Sequence, residues 1–302
     1  MSAPRRILCP IDFSEYSRVA LEHALGLARW YRSEILALHV IPTAGVWWGI
    51  ASSPVPVPEA SPIENREAVE ERLREFTADA GASAAVVIRT LVVVGDPVAE
   101  ILRATSDHGA DLVVIASHGA SGFERFAFGS VSEKVLRRST APVYVVPAPE
   151  DGAVAAEPLE FSTVLCPVDF GAASAHGLEL GFALAHSAAG RLIVVHVLPS
   201  LPDDPRALMH FQMPEYVSFL ELDAKERLKE WVPPAIRDYV RYEERITAGK
   251  PHLEIVRVAR EESASFIAMG THGPDNTDRR AFGSTAVRVV RLASRPVLVT
   301  AG

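Results

Sequence analysis

Two stretches of the chain have the make-up of an anion cradle. One reads Gly270-x2-Gly273-x9-Gly283-Ser284, and its counterpart reads Ala116-x2-Gly119-x9-Gly129-Ser130. Glycine lets a backbone come close to a phosphate and take up a positive φ. Each closing Gly-Ser pair is expected to open a helix, whose free N–H groups and dipole favour anions. Ser130 also stands three residues before Glu133, the spacing of a capping box, so its hydroxyl has a second reading as a plain helix cap.

An aspartate lies upstream of each cradle. Asp12 sits in Leu8-Cys9-Pro10-Ile11-Asp12-Phe13, and Asp169 in Leu165-Cys166-Pro167-Val168-Asp169-Phe170. His39-Val40 recurs as His196-Val197. The chain is therefore two copies of one module, and a repeat of this kind fixes both the domain count and the places where a site must recur. The expected division is 1–148, a Pro-, Ala- and acid-rich linker over 149–158, and 159–302, each copy near the roughly 150 residues of an ordinary domain.

The elements that position these residues follow from periodicity. In the first copy, apolar runs at 7–11, 35–41, 86–94, 112–116 and 143–146 alternate with helical patterns at 17–31, 63–80, 97–105 and 130–138. Asp96 suits an N-cap and Pro97 the first helical position. The second copy repeats the order with runs at 164–168, 192–197, 240–247, 266–269 and 297–300, and helices near 173–189, 215–231, 251–262 and 284–293. Near-continuous apolar strands in a βαβαβαβαβ order mean an α/β fold, a parallel sheet covered by helices on both faces. In such an open sheet, ligands sit outside the carboxyl ends of the strands where the strand order reverses. Asp12, His39 and the cradle all follow strands. His39 and His196 read as hydrogen-bonding residues at the core's edge.

Composition narrows the function. A net charge of −8 argues against nucleic-acid binding through phosphates. The two cysteines, Cys9 and Cys166, lie inside apolar runs and read as buried thiols in a reducing compartment. No Cys/His spacing suggests a metal, and no apolar run reaches the ~18 residues of a membrane helix. The N-terminus lacks the apolar core of a signal peptide. A soluble cytoplasmic protein without a membrane partner is expected. The apolar segments around Trp47-Trp48 and around Met209, Phe211 and Met213 read either as loops packed on their own domain or as a lid or contact surface. Arg125 and Arg279 read either as phosphate contacts or as solvated loop residues.

The repeated cradle and the aspartate after the first strand make the chain similar to a tandem universal stress protein. The resemblance covers almost the whole chain. It implies two tandem open five-stranded parallel sheets of order 3-2-1-4-5, packed as an intrachain pseudo-dimer, with ATP held between the ends of strands one, two and four. By motif position the first site comprises Pro10, Ile11, Asp12, Val40, Ile115, Ala116, Gly119, Gly129, Ser130 and Val131. The second comprises Pro167, Val168, Asp169, Val197, Met269, Gly270, Gly273, Gly283, Ser284 and Thr285. Ala116 departs from the motif's first glycine, and its methyl group is expected to narrow the ribose side of the first site.

The implied function is an ATP-binding stress-response sensor or switch, with Mg²⁺ as an optional companion of the nucleotide and an unidentified regulatory protein or a second chain as partner. The alternative is a slow ATPase or adenylyl-transfer enzyme. The sequence has no GxxxxGK[ST] loop, and no acid or nucleophile adjoins His118 or His272, so no catalytic residue is assigned. The apolar last strands, 143–146 and 297–300, are expected to cover each other's edges. Spin labels on cysteines placed at 147 and 301 test that pairing. A short intrachain distance supports it and a long one contradicts it.

Overall fold

The computed structural model describes residues 4–43, 66–84, 86–119, 128–148, 162–199, 214–271 and 283–300. The chain divides into two compact units between Leu159 and Glu160. The Trp47-Trp48 and Met209–Met213 segments, Arg125, Arg279, His272 and Gly273 lie outside the described residues.

The first unit runs β1 (Arg6–Pro10), α1 (Glu15–Tyr31), β2 (Glu34–Pro42), α2 (Arg66–Ala84), β3 (Ile88–Gly95), α3 (Pro97–Asp107), β4 (Leu112–Ala116), α4 (Ser130–Arg138) and β5 (Val143–Val146). Its strands pair in parallel in the order β3-β2-β1-β4-β5. The second unit runs β6 (Thr163–Val168), α5 (Ala172–Ser187), β7 (Arg191–Pro199), α6 (Pro214–Trp231), α7 (Pro234–Tyr239), β8 (Arg241–Gly249), α8 (Pro251–Glu261), β9 (Phe266–Gly270), α9 (Ser284–Leu292) and β10 (Val297–Thr300). Its order is β8-β7-β6-β9-β10, again parallel. Both are the expected 3-2-1-4-5 sheet. Helix α1 packs on α2 and α3 on α4, as right-handed crossovers on opposite faces require. The short helix α7 has no counterpart in the sequence reading.

Central strands are buried along their whole length, as in β4 and β6, because helices cover both faces. The outer strand β8 is half exposed and correspondingly polar. Ser14 caps α1 by accepting from the Ser17 N–H at 3.1 Å. Asp96 caps α3 by accepting from the Ala99 N–H at 2.9 Å. Cys9 and Cys166 are buried free thiols, and burial pushes the Cys9 thiol up to about 12.

Helix α5 lies unusually close to its sheet. A Cβ on Gly177 would stand 2.8 Å from the backbone N of Gly270 and the carbonyl carbon of Met269. A Cβ on Gly181 would stand 2.2 Å from Cys166 Sγ. In an ordinary helix interior, Gly→Ala gains about 1 kcal/mol. Here the methyl group meets backbone that has no room to move, and overpacking typically costs ~1–3 kcal/mol. Gly177→Ala is therefore expected to lower the melting temperature of the second unit, measured by thermal denaturation. A variant that melts at or above the wild type contradicts this account.

Candidate functional site

The second unit has a cavity of about 440 Å³ at the carboxyl ends of β6, β7 and β9. Pro167, Val168 and Asp169 reach it from β6, Val197 from β7, Met269 and Gly270 from β9, and Gly283, Ser284 and Thr285 from the start of α9. Nine of the ten residues expected in this half thus line one space, and the tenth, Gly273, lies outside the described residues. Its lining also includes Ser174, His196, Thr271, Pro251 and Ile255, which the sequence reading did not assign to the site. Pro251 and Ile255 belong to α8. Only their place after strand three, beside the crevice, could have suggested them.

The turn after the first strand is built alike in both units. Phe13 and Phe170 adopt left-handed backbone, with φ of 62° and 65°. A non-glycine residue there costs of order 1 kcal/mol and persists only where its surroundings hold it. The Phe13 and His39 ring centroids lie 4.5 Å apart, and the Arg72 guanidinium stands 4.1 Å from the Phe13 centroid. Phe170 lies 4.5 Å from His196, with the Arg227 guanidinium 4.2 Å from its centroid. Phe76 and Trp231 add edge contacts to Phe13 and Phe170.

The histidines complete the turn. His39 Nδ1 lies 2.7 Å from the Ile11 carbonyl and His196 Nδ1 2.8 Å from the Val168 carbonyl. A carbonyl only accepts, so Nδ1 carries the proton in both. Both are the core-edge hydrogen-bonders expected. Burial holds both imidazoles below their usual range, against the opposing pull of the bonded carbonyl and of Asp12 or Asp169.

The aspartates are aimed by different hydroxyls. Asp12 Oδ1 accepts from the Ser14 N–H at 3.0 Å and from the Ser14 hydroxyl. Asp169 Oδ1 accepts from the Gly171 N–H at 2.9 Å and from the Ser174 hydroxyl at 2.8 Å. In the second unit the cap position is glycine, so the serine one turn later takes over.

The cradle glycines act differently from the sequence expectation. None of Gly119, Gly129, Gly270 and Gly283 has positive φ, and the positive-φ glycines among the described residues are Gly109 and Gly249. At Gly119, Gly129 and Gly270 the lack of a side chain serves close packing within the chain. A Cβ on Gly119 would stand 2.7 Å from Asp12 Oδ2, and one on Gly129 3.2 Å from the Ser117 carbonyl. A Cβ on Gly270 would stand 2.2 Å from the Ala173 carbonyl oxygen. That direction points at α5. The expectation that a methyl group at the matching Ala116 narrows the ribose side therefore has no support from Gly270, whose missing side chain meets the helix.

Helices α4 and α9 both start with glycine at the cap and no side-chain cap bond. The capping reading of Ser130 fails for this reason: Ser130 is the first helical residue, and Glu133 bonds Arg137 at 2.9 Å. Ser130 and Ser284 are exposed. The Gly129 and Gly283 N–H groups bond the Ser117 and Thr271 carbonyls, at 2.8 and 2.6 Å, and tie each cradle to its strand. In the first unit Ile115 and Ala116 are buried at the end of β4, while Pro10, Val40 and Val131 are half-buried. The Ser132 hydroxyl bonds the Ala116 carbonyl at 2.8 Å. Ser117 Oγ lies 2.8 Å from His118 Nδ1, so a hydroxyl does adjoin His118, contrary to the expectation that no nucleophile stands beside it, and the same oxygen accepts from the Ala148 N–H at 3.1 Å. Among the described residues, no cluster of three or more His, Cys, Asp or Glu could hold a metal ion, and no helix is long and apolar enough to cross a membrane.

The comparisons with known proteins fit this geometry. The sequence profile of the universal stress protein family matches residues 4–147 and again 160–301. A universal stress protein of Methanocaldococcus jannaschii is 30% identical over 47% of this chain and 94% of its own length. One from Mycobacterium tuberculosis is 26% identical over 99% of both chains. The crystal structure of a universal stress protein from Archaeoglobus fulgidus superposes with a TM-score of 0.66 at 25% identity, covering 98% of each chain.

The histidine turn generates a prediction. A histidine kept neutral by the fold gains a proton more readily when unfolded, so stability falls as pH drops below the ordinary imidazole value of about 6.5. NMR titration of His39 and His196 should give midpoints below that value. Midpoints at or above it contradict the buried neutral assignment.

Proposed function

The chain belongs to the universal stress protein family in both of its halves, and from that premise we propose that it is an ATP-binding switch of the stress response, whose nucleotide occupancy sets its shape or its partners. The observation that carries this reading is the convergence on one cavity of an oriented carboxylate, two apolar strand ends and an uncapped helix start. Its volume of about 440 Å³ lies within the ~300–1,000 Å³ common for ligand sites.

Each part has a task in this reading. Val168 and Val197 give the adenine an apolar wall. Asp169, with one oxygen already fixed by Gly171 and Ser174, accepts from the ribose through the other. The N–H groups of Ser284 and Thr285 at the start of α9 meet the phosphates. Asp169 would help hold a Mg²⁺ ion, directly or through water, and the ion would offset the charge of the phosphates. The first unit repeats the plan with Asp12, Val40 and the start of α4.

Slow turnover belongs to the same reading. They hold phosphates and place no base on an attacking water, which phosphoryl transfer needs. His39 and His196 spend their Nδ1 protons on backbone carbonyls. Single-turnover hydrolysis should run well below the ~10 s⁻¹ of an ordinary enzyme, and a His118→Ala/His272→Ala double variant should match the wild type. Fast hydrolysis lost in that variant would replace the switch with an ATPase or adenylyl-transfer enzyme.

Calorimetric titration with ATP tests the binding itself. Gly283→Val and Asp169→Ala should each remove the second-half component, and Gly129→Val the first-half component. The second half is expected to bind at least as tightly. If Gly129→Val abolishes most binding and Gly283→Val spares it, that ranking is wrong.

A further inference from the structure

Helix α8 breaks a local rule beside the cavity. Its N-cap is Lys250, with extended backbone and no side-chain cap bond. Lysine cannot accept the orphan N–H groups there, and its charge opposes the positive end of the helix dipole. The first unit has Asp96 at the matching place, and Asp96 does cap α3. A fold that forgoes a cap worth ~1 kcal/mol at one copy of a repeat invites a functional explanation.

The surroundings supply one. Lys250 directly precedes Pro251, and both Pro251 and Ile255 line the cavity. Arg288 stands one turn beyond Ser284, another lining residue, on the exposed side of α9. Helices α8 and α9 pack on each other. His252 follows Pro251 on α8, and burial first, then the charges of Arg288 and Lys250, hold its imidazole below the usual range. Among the described residues no carboxylate pairs with Lys250, His252 or Arg288, whereas Arg191, Arg245 and Arg257 of the same unit are all paired. In the first unit the matching residues are Asp96, Val98 and Lys134. Positive charge without a carboxylate partner among the described residues thus adjoins two lining residues of the second cavity, Lys250 next to Pro251 and Arg288 one turn from Ser284.

We propose that Lys250, Arg288 and His252 make the second half selective for the length of the phosphate chain, taking a nucleoside di- or triphosphate over the monophosphate, while the first half lacks this preference. The inference rests on the nucleotide reading above. The cations meet the outer phosphates, which the uncapped N–H groups of α9 alone do not neutralise. Lys250 is exposed, so each contact is screened and the gain is modest.

Titration of the full chain with AMP, ADP and ATP tests this. The second-half component is identified as the one that Gly283→Val removes. In the wild type its affinity should climb about tenfold from AMP to ATP, because two exposed charge contacts add up to ~1 kcal/mol each. Lys250→Gln/Arg288→Gln should leave AMP affinity in place and reduce the ratio to about twofold or less. Lys250→Asp, which copies the first unit, should also lower the ratio while raising the melting temperature by restoring the cap. A purely structural lysine would move only the melting temperature. An unchanged ATP:AMP ratio in both variants, or a flat ladder in the wild type, overturns the inference alone. A chain that binds none of the three nucleotides overturns the nucleotide reading and this inference with it.

Discussion

A parallel sheet ordered 3-2-1-4-5 must send the connections that follow strands one and four to opposite faces. Between those two strand ends the chain leaves a crevice that the sheet cannot fill. The rest of each unit is arranged around that gap. In the second unit the ends of β6, β7 and β9 open into it, α9 begins beside it, and α8 closes one flank. The first strand has the hardest task. It must turn into a helix at once and still leave an aspartate facing the gap. The left-handed Phe13 and Phe170 make that turn, and a histidine and an arginine hold each phenylalanine in place. The backbone strain at the turn is offset by packing, and the aspartate's direction is its product.

The two copies meet the same constraint with different residues. Ser14 fixes Asp12 from the cap, while Ser174 fixes Asp169 from one turn further on. The second unit sets glycine on both sides of the α5–β9 contact, at Gly177 and Gly270, where the first has Ala20 and Ala116. Even the ion pairs at the start of strand two reverse sign. Glu34 lies between Arg6 and Arg89, and Arg191 between Glu243 and Glu262. These exchanges keep the architecture and free individual positions to diverge, and the replacement of a capping aspartate by Lys250 belongs with them. Duplication thus leaves two units of one plan that differ in charge at the start of the helix after strand three, Asp96 in one and Lys250 in the other.

Much of this was legible in the chain. Repetition gave two modules, and continuous apolar runs such as 112–116 marked buried parallel strands. Asp96-Pro97 marked the start of α3 to the residue. The residues after strands one, two and four pointed to the crevice. What stayed hidden depends on distance across the fold. Nothing local shows that Gly270 is glycine because Ala173 lies against it, or that Gly119 must clear the Asp12 carboxylate. The strained phenylalanines carry no propensity signal, because their conformation is imposed by partners on β2, α2, β7 and α6. The outer strand β8 was placed in spite of its charge, and those charges proved to be a network of ion pairs with Arg191 and Arg245 at its centre.

The central claim is that the second-half cavity holds an adenine nucleotide. Mass spectrometry of the small molecules released when freshly purified protein is denatured addresses it without any assumption about affinity or assay. An adenine nucleotide released in near-stoichiometric amount from the wild type, and lost from Gly283→Val, is the predicted result. A different small molecule released in its place, or a nucleotide retained undiminished by Gly283→Val, would contradict the account.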